Sequence, residues 1–153
     1  MVALAQKSKD NDQLNRLEEA MAQLPQQEIP TVHVFTPGLY ARTVLMRKGS
    51  VFTSKIHRTE HPFIVSLGSC TVVDGEGNRV LIRAPHLGIT QPGTRRALHI
   101  HEDCIWTTFH TTPHTDVDLI EQEIIEPHHI PQVRDGSRAQ VDIYPQRALE
   151  ANH

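Results

Sequence analysis

The chain has 153 residues, a formal charge of −3 with histidine neutral, and 11 histidines. A chain of this length makes one domain and holds a core without metal or disulfide staples. Its near-balanced charge excludes the basic footprint of a nucleic-acid binder, and it has no run of about 18 apolar residues to span a membrane.

Residues 1–30 read as a polar arm. The opening segment Met1–Lys7 turns polar too soon for a signal peptide. Asp10–Leu24 reads as an amphipathic helix, because Leu14, Leu17, Met21 and Leu24 recur at three- and four-residue steps. Asp10, Asn11 or Asp12 can cap it, and Pro25 ends it. So short a helix is marginal alone in water, so its stripe must pack on something. Two readings stay open, the body of its own domain or an interface with a second subunit through Leu14, Leu17, Met21 and Leu24.

Residues 31–126 read as a β-domain. The expected strands are Val32–Phe35, Leu39–Arg47, Val51–His57, Phe63–Leu67, Cys70–Asp74, Arg79–Arg83, Leu87–Thr90, Arg96–His101 and Cys104–Thr111. Turn signals separate them, including Pro37-Gly38, Lys48-Gly49, Leu67-Gly68, Pro92-Gly93 and His101-Glu102-Asp103; the clearest hairpin turn is Asp74–Asn78. Many short strands with almost no helix between them predict an all-β antiparallel sandwich or barrel. Cys70 and Cys104 read as buried free thiols in preference to a disulfide. Residues 127–153 form a polar tail with one possible short strand at Val141–Tyr144.

The stretch Gly49–Gly68 carries the informative pattern. Gly49 is followed by five residues, then Lys55, Ile56, His57, three residues, His61, six residues and Gly68. Its spacing resembles the first motif of the cupin superfamily, which places His, His and Glu where this chain has Lys55, His57 and His61. Pro92-Gly93-Thr94-Arg95-Arg96 resembles the second motif, with Arg96 at the position of the last ligand. The resemblance implies a cupin jelly-roll β-sandwich and a metal motif only partly kept.

Alternate strand residues face the same way, so Lys55 and His57 are expected to point inward together. Neither a protonated lysine nor an arginine has a lone pair for a metal. A barrel-interior cluster of Lys55, His57, His61 and Arg96 then has three readings. The preferred one is a structural ion-pair cluster completed by Glu60 or Glu102. The others are a pocket for a carboxylate or phosphate, and a rebuilt metal site using His57 and His61. His110 and His114 are further metal candidates. Counting by twos from Arg96 turns His99 and His101 outward. His33, His86, His128 and His129 carry no assignment. No Gly-x-Ser-x-Gly elbow, phosphate loop, His-Glu-x-x-His helix or Cys-x-x-Cys pair is present.

A narrower resemblance rests on Ala41–Thr43, Lys55–His61, Pro92–Arg96 and Glu102–His110. These are similar to signatures of small cupin-like proteins of tailed phages and prophages. That resemblance implies a non-catalytic virion component, such as a capsid decoration or cement protein, or a tail-associated one, made in the host cytoplasm. Its expected partners are further copies of itself and a phage capsid or tail protein, held through the terminal arms, with no cofactor. Removing residues 1–30 should then abolish association and leave the β-domain folded. The alternative is a metal-dependent cupin enzyme or a module binding an anionic small molecule or sugar.

Overall fold

The computed structural model describes residues 12–24 and 29–127. The elements are α1 (Asp12–Ala22), β1 (Thr31–Thr36), β2 (Leu39–Met46), β3 (Val51–Thr53), β4 (His61–Asp74), β5 (Arg79–Arg83), β6 (His86–Thr90), β7 (Arg96–Thr111) and α2 (Val117–Ile124). The possible strand at Val141–Tyr144 and the pair His128-His129 lie outside the described residues.

The strands form an antiparallel seven-stranded system in which β4 and β7 each serve two neighbourhoods. The first half of β4 pairs with β6 and with the second half of β7, which pairs on its other side with β2 and through it with β1. The second half of β4 pairs with β5 and with the first half of β7, which also pairs with β3. Two strands thus pass from one layer of the sandwich to the other, as a jelly roll requires.

The crossing explains two differences from expectation. Leu67-Gly68 and Glu102-Asp103 are not turns between strands; each lies inside one long strand. The β4–β7 register shifts three times between Val65 and Cys70, which bends both strands there. Gly68 has φ +81°, and a Cβ on it would run into the backbone carbonyl of Asp103. Glycine is needed here for both its conformation and its lack of bulk.

The core lies between the layers and includes Val44, Phe63, Val65, Ile100, Cys104 and Trp106. Cys70 and Cys104 are free, buried and hydrogen-bonded to each other. Mutual bonding lowers the pKa of the Cys70 thiol, while the Cys104 thiol, bonded to Cys70 and buried, is raised.

The strand expected over Val51–His57 stops at Thr53. The reason is a helix absent from the sequence reading. α2 is capped by Asp116, whose side chain accepts from the Asp118 N–H, and it buries Ile120 and Ile124 against Tyr40. The segment after it runs beside residues 56–58. The Arg58 N–H donates to the Ile124 carbonyl (2.7 Å), and the Glu126 N–H donates to that of Ile56 (2.8 Å). His57 therefore pairs with Ile125 rather than extending β3.

α1 packs on its own domain. Leu14 is buried there, Leu17 and Met21 are half-buried, and Leu24 stays exposed. Leu14, offered above to a partner, therefore faces the chain's own body. The docking is ionic as well as apolar. Arg95 and Glu18 are 2.9 Å apart with side chains 0% and 5% exposed, and Arg95 also donates to Asn15 Oδ1 at 2.7 Å. Removing residues 1–30 would strand Arg95 in the interior, so the arm is not simply detachable.

Candidate metal centre

A cavity of about 510 Å³ opens between the layers, a volume typical of small-molecule sites. Lys55, His57, His61 and Arg96, the four residues expected inside the barrel, all line it. His110 joins them and completes a cluster that the motif spacing alone did not give.

Strand register explains the convergence. Phe63 on β4 faces Thr108 on β7. Two residues farther along each antiparallel strand, His61 and His110 fall opposite one another. Alternation keeps Trp106, Thr108 and His110 on the cavity side of β7. That parity was readable in the sequence and would have favoured His110 over His114. His114 instead lies half-exposed beside Glu123, 3.5 Å away. His57 reaches the same place from the loop, where its carbonyl accepts from the Gly93 N–H (2.9 Å).

One ring nitrogen from each of His57, His61 and His110 lies within 4.8 Å of the others. Ring centroids are 4.4 Å apart for His57 and His61, 4.5 Å for His61 and His110, and 5.3 Å for His57 and His110. His61 Nδ1 lies 3.0 Å from the Thr59 carbonyl oxygen. A carbonyl only accepts, so Nδ1 carries the proton and Nε2 keeps a lone pair. His110 shows the converse arrangement. Its Nε2 is 3.0 Å from Thr108 Oγ1, while its Nδ1 is buried with no hydrogen-bond partner.

The three imidazoles are held neutral. Burial, followed by the charges of His61, His110, Arg42 and Lys55, pushes His57 down to about 3. Burial, then His61 and Arg42, pushes His110 down to about 4. His61 is also lowered, chiefly by burial and further by Arg96, against the raising effect of its bond to Thr59. Neutral imidazoles with free lone pairs suit zinc, copper, iron or nickel. Three protein ligands, rather than four, is the number that a catalytic zinc site uses. The orphaned Nδ1 of His110 is the observation that fits a metal ion here, since a buried nitrogen without a partner is costly to leave so.

The cationic residues divide into two kinds. Lys55 is neutralised by Glu121 of α2 at 3.2 Å; Glu60 and Glu102, expected to supply that charge, are both exposed. Arg96 has no carboxylate partner among the described residues. Its guanidinium lies 5.8 Å from the Phe63 ring centroid and 5.9 Å from that of Trp106, and donates to Thr90 Oγ1 at 3.0 Å. Its Nε is buried without a hydrogen bond, and burial lowers its pKa. His99 and His101 lie on the outer face of β7, with His101 bonded to Thr71 (2.6 Å).

No family model matches the chain, and no curated protein sequence matches it. Solved structures do. An ectoine synthase from P. lautus is 13% identical, with a TM-score of 0.53, over 74% of this chain and 85% of its own. Salicylate 1,2-dioxygenase from Pseudoaminobacter salicylatoxidans is 14% identical with a TM-score of 0.52 over 74% of this chain, which spans only 34% of that enzyme. An uncharacterised Klebsiella pneumoniae protein with a double-stranded β-helix domain is 16% identical, with a TM-score of 0.50, over 61% of this chain and 85% of its own. At such identities the likeness is one of fold. With two bent strands shared between two antiparallel layers, and these structures as its neighbours, the domain has a jelly-roll fold of the double-stranded β-helix type.

Proposed function

We propose that this protein is a metal-dependent cupin enzyme acting on a small organic molecule, with His57, His61 and His110 as the protein's metal ligands. The observation that carries the proposal is the pair of complementary nitrogens. Thr59 leaves His61 Nε2 free, Thr108 leaves His110 Nδ1 buried and unpartnered, and both histidines belong to the same three-residue cluster.

A divalent ion held there would supply Lewis acidity toward an oxygen of a bound molecule. The chain's own contribution is to keep three imidazoles neutral and to present the substrate in a largely apolar cavity. The test is metal titration of the chelator-treated protein followed by elemental analysis. One equivalent of zinc, iron or nickel is expected for the wild type and a loss of affinity of about tenfold or more for His110→Ala. Absence of binding, or binding that His110→Ala leaves intact, rules the proposal out.

A non-catalytic role in a phage particle is a second reading. The observation that favours it is the exposure of large apolar side chains on the two edge strands, Val80 and Leu81 on β5 and Leu87 and Ile89 on β6. Sedimentation of the wild type against a Leu87→Glu, Ile89→Lys double variant tests it. A monomer in both cases would remove its support.

A further inference from the structure

We infer that the cavity takes an organic carboxylate, whose anionic end is bound by Arg96. The inference deepens the metal-centre reading by naming the substrate class of that same cavity, and rests on it for the ligand's role as a substrate. The binding chemistry stands on separate residues.

Arg95 has Glu18 and Lys55 has Glu121. Arg96, on the cavity wall, has a hydroxyl and two aromatic faces but no acid among the described residues. A guanidinium remains charged in proteins and presents a planar fork of donors that fits a carboxylate. Its buried Nε leaves one of those donors unused. In a low-dielectric pocket an unmatched cation strongly favours an anion, and the neighbouring neutral histidines offer no competing charge.

The remaining wall defines the rest of the ligand. Val44, Met46, Phe52, Leu98 and Trp106 make it largely apolar. Arg96 beside an apolar wall suits a monoanion with a hydrocarbon body better than a phosphate, which carries more charge and needs more donors. A metal ion at the histidines would add positive charge close to Arg96 and so strengthen the demand for an anion.

Calorimetric titration distinguishes the outcomes. The probes are benzoate, cyclohexanecarboxylate and hexanoate, their uncharged amides, and inorganic phosphate, each added to zinc-loaded and to chelator-treated protein. At least one carboxylate is expected to bind about tenfold or more tighter than its amide and than phosphate. Arg96→Gln should abolish that preference while keeping wild-type circular dichroism and zinc stoichiometry. If Arg96→Gln does not fold, Arg96→Lys keeps the charge without the fork and should still weaken binding. Equal binding of acid and amide, a preference for phosphate, no binding of any carboxylate, or full binding by both variants overturns the inference. Metal binding is read separately in the His110→Ala titration. A metal-free protein that binds carboxylates through Arg96 would sink the enzyme reading and keep the anion site, and the reverse result would do the opposite.

Discussion

Arg95 and Arg96 are neighbours in the chain and opposites in the fold. Arg95 lies under α1 with Glu18 and Asn15, its side chain sealed from water. Arg96 turns the other way onto the cavity wall, stacked on Phe63 and Trp106 and facing no carboxylate among the described residues. Arg95 is the last residue before β7 and Arg96 the first residue in it, so the two diverge where the strand begins. A buried cation with its acid in place holds two elements together. A half-buried cation without one, its Nε shut off from water, is left with a charge that an anion could match.

The largest test of that contrast is thermodynamic. Glu18→Ala should cost about 3–5 kcal/mol in urea denaturation, because it leaves Arg95 charged and buried without its counterion. Replacing both members, as in Glu18→Leu with Arg95→Met, should recover most of the loss. Arg96→Met should change stability by no more than about 1 kcal/mol, since losing the aromatic contacts offsets relief of an unmatched charge. A loss from Arg96→Met as large as that from Glu18→Ala would break the comparison.

Next in size is a pH effect at the histidine cluster. The folded values of about 3 for His57 and about 4 for His110 lie below the ordinary histidine value of 6.5. The unfolded chain then binds more protons than the folded one through the interval below 6.5, so stability rises with pH there. Stability of the chelator-treated protein should be full above about pH 7 and fall as the solution is acidified toward pH 4. A denaturation midpoint that stays flat from pH 7.5 to pH 5.0, or a His57→Ala, His110→Ala variant with the same slope as wild type, would contradict the buried neutral trio.

Smallest is Lys55→Met. Its partner Glu121 is 40% exposed and Lys55 itself 28%, so solvent screens the pair, and the loss should stay below about 1 kcal/mol. A larger cost would mean that Lys55 holds α2 in place and belongs with Arg95 rather than with the lining of the cavity.

How much of this could be read from residues alone follows from the range of each interaction. The glycine spacing around Gly49 and Gly68 and strand alternation needed only local pattern. They sufficed for the jelly roll and for the outward His99 and His101, whereas Lys55 and His57 reach the cavity from beyond the end of β3, where alternation does not apply. α2 was also locally marked, by Asp116 and by Val117, Ile120 and Ile124 at helical spacing, but it is short and flanked by strand-like sequence. Two features depend on which strands become neighbours. His110 meets His61 only through β4–β7 register, and Arg95 meets Glu18 only when α1 folds back over the start of β7. No single window of sequence holds both members of either pair.

The bend at Gly68 leaves one further mark on the chain. Before it, the buried positions of β4 are odd-numbered, His61, Phe63 and Val65; after it Ser69 is buried too, but the apolar core positions are even-numbered, Cys70 and Val72. The bulge therefore acts as a frame-shift in side-chain orientation, written into a single strand. Excising one residue there would force a choice. The chain could keep Cys70 and Val72 in the core, or it could keep His61 beside His110, but the same strand could no longer do both.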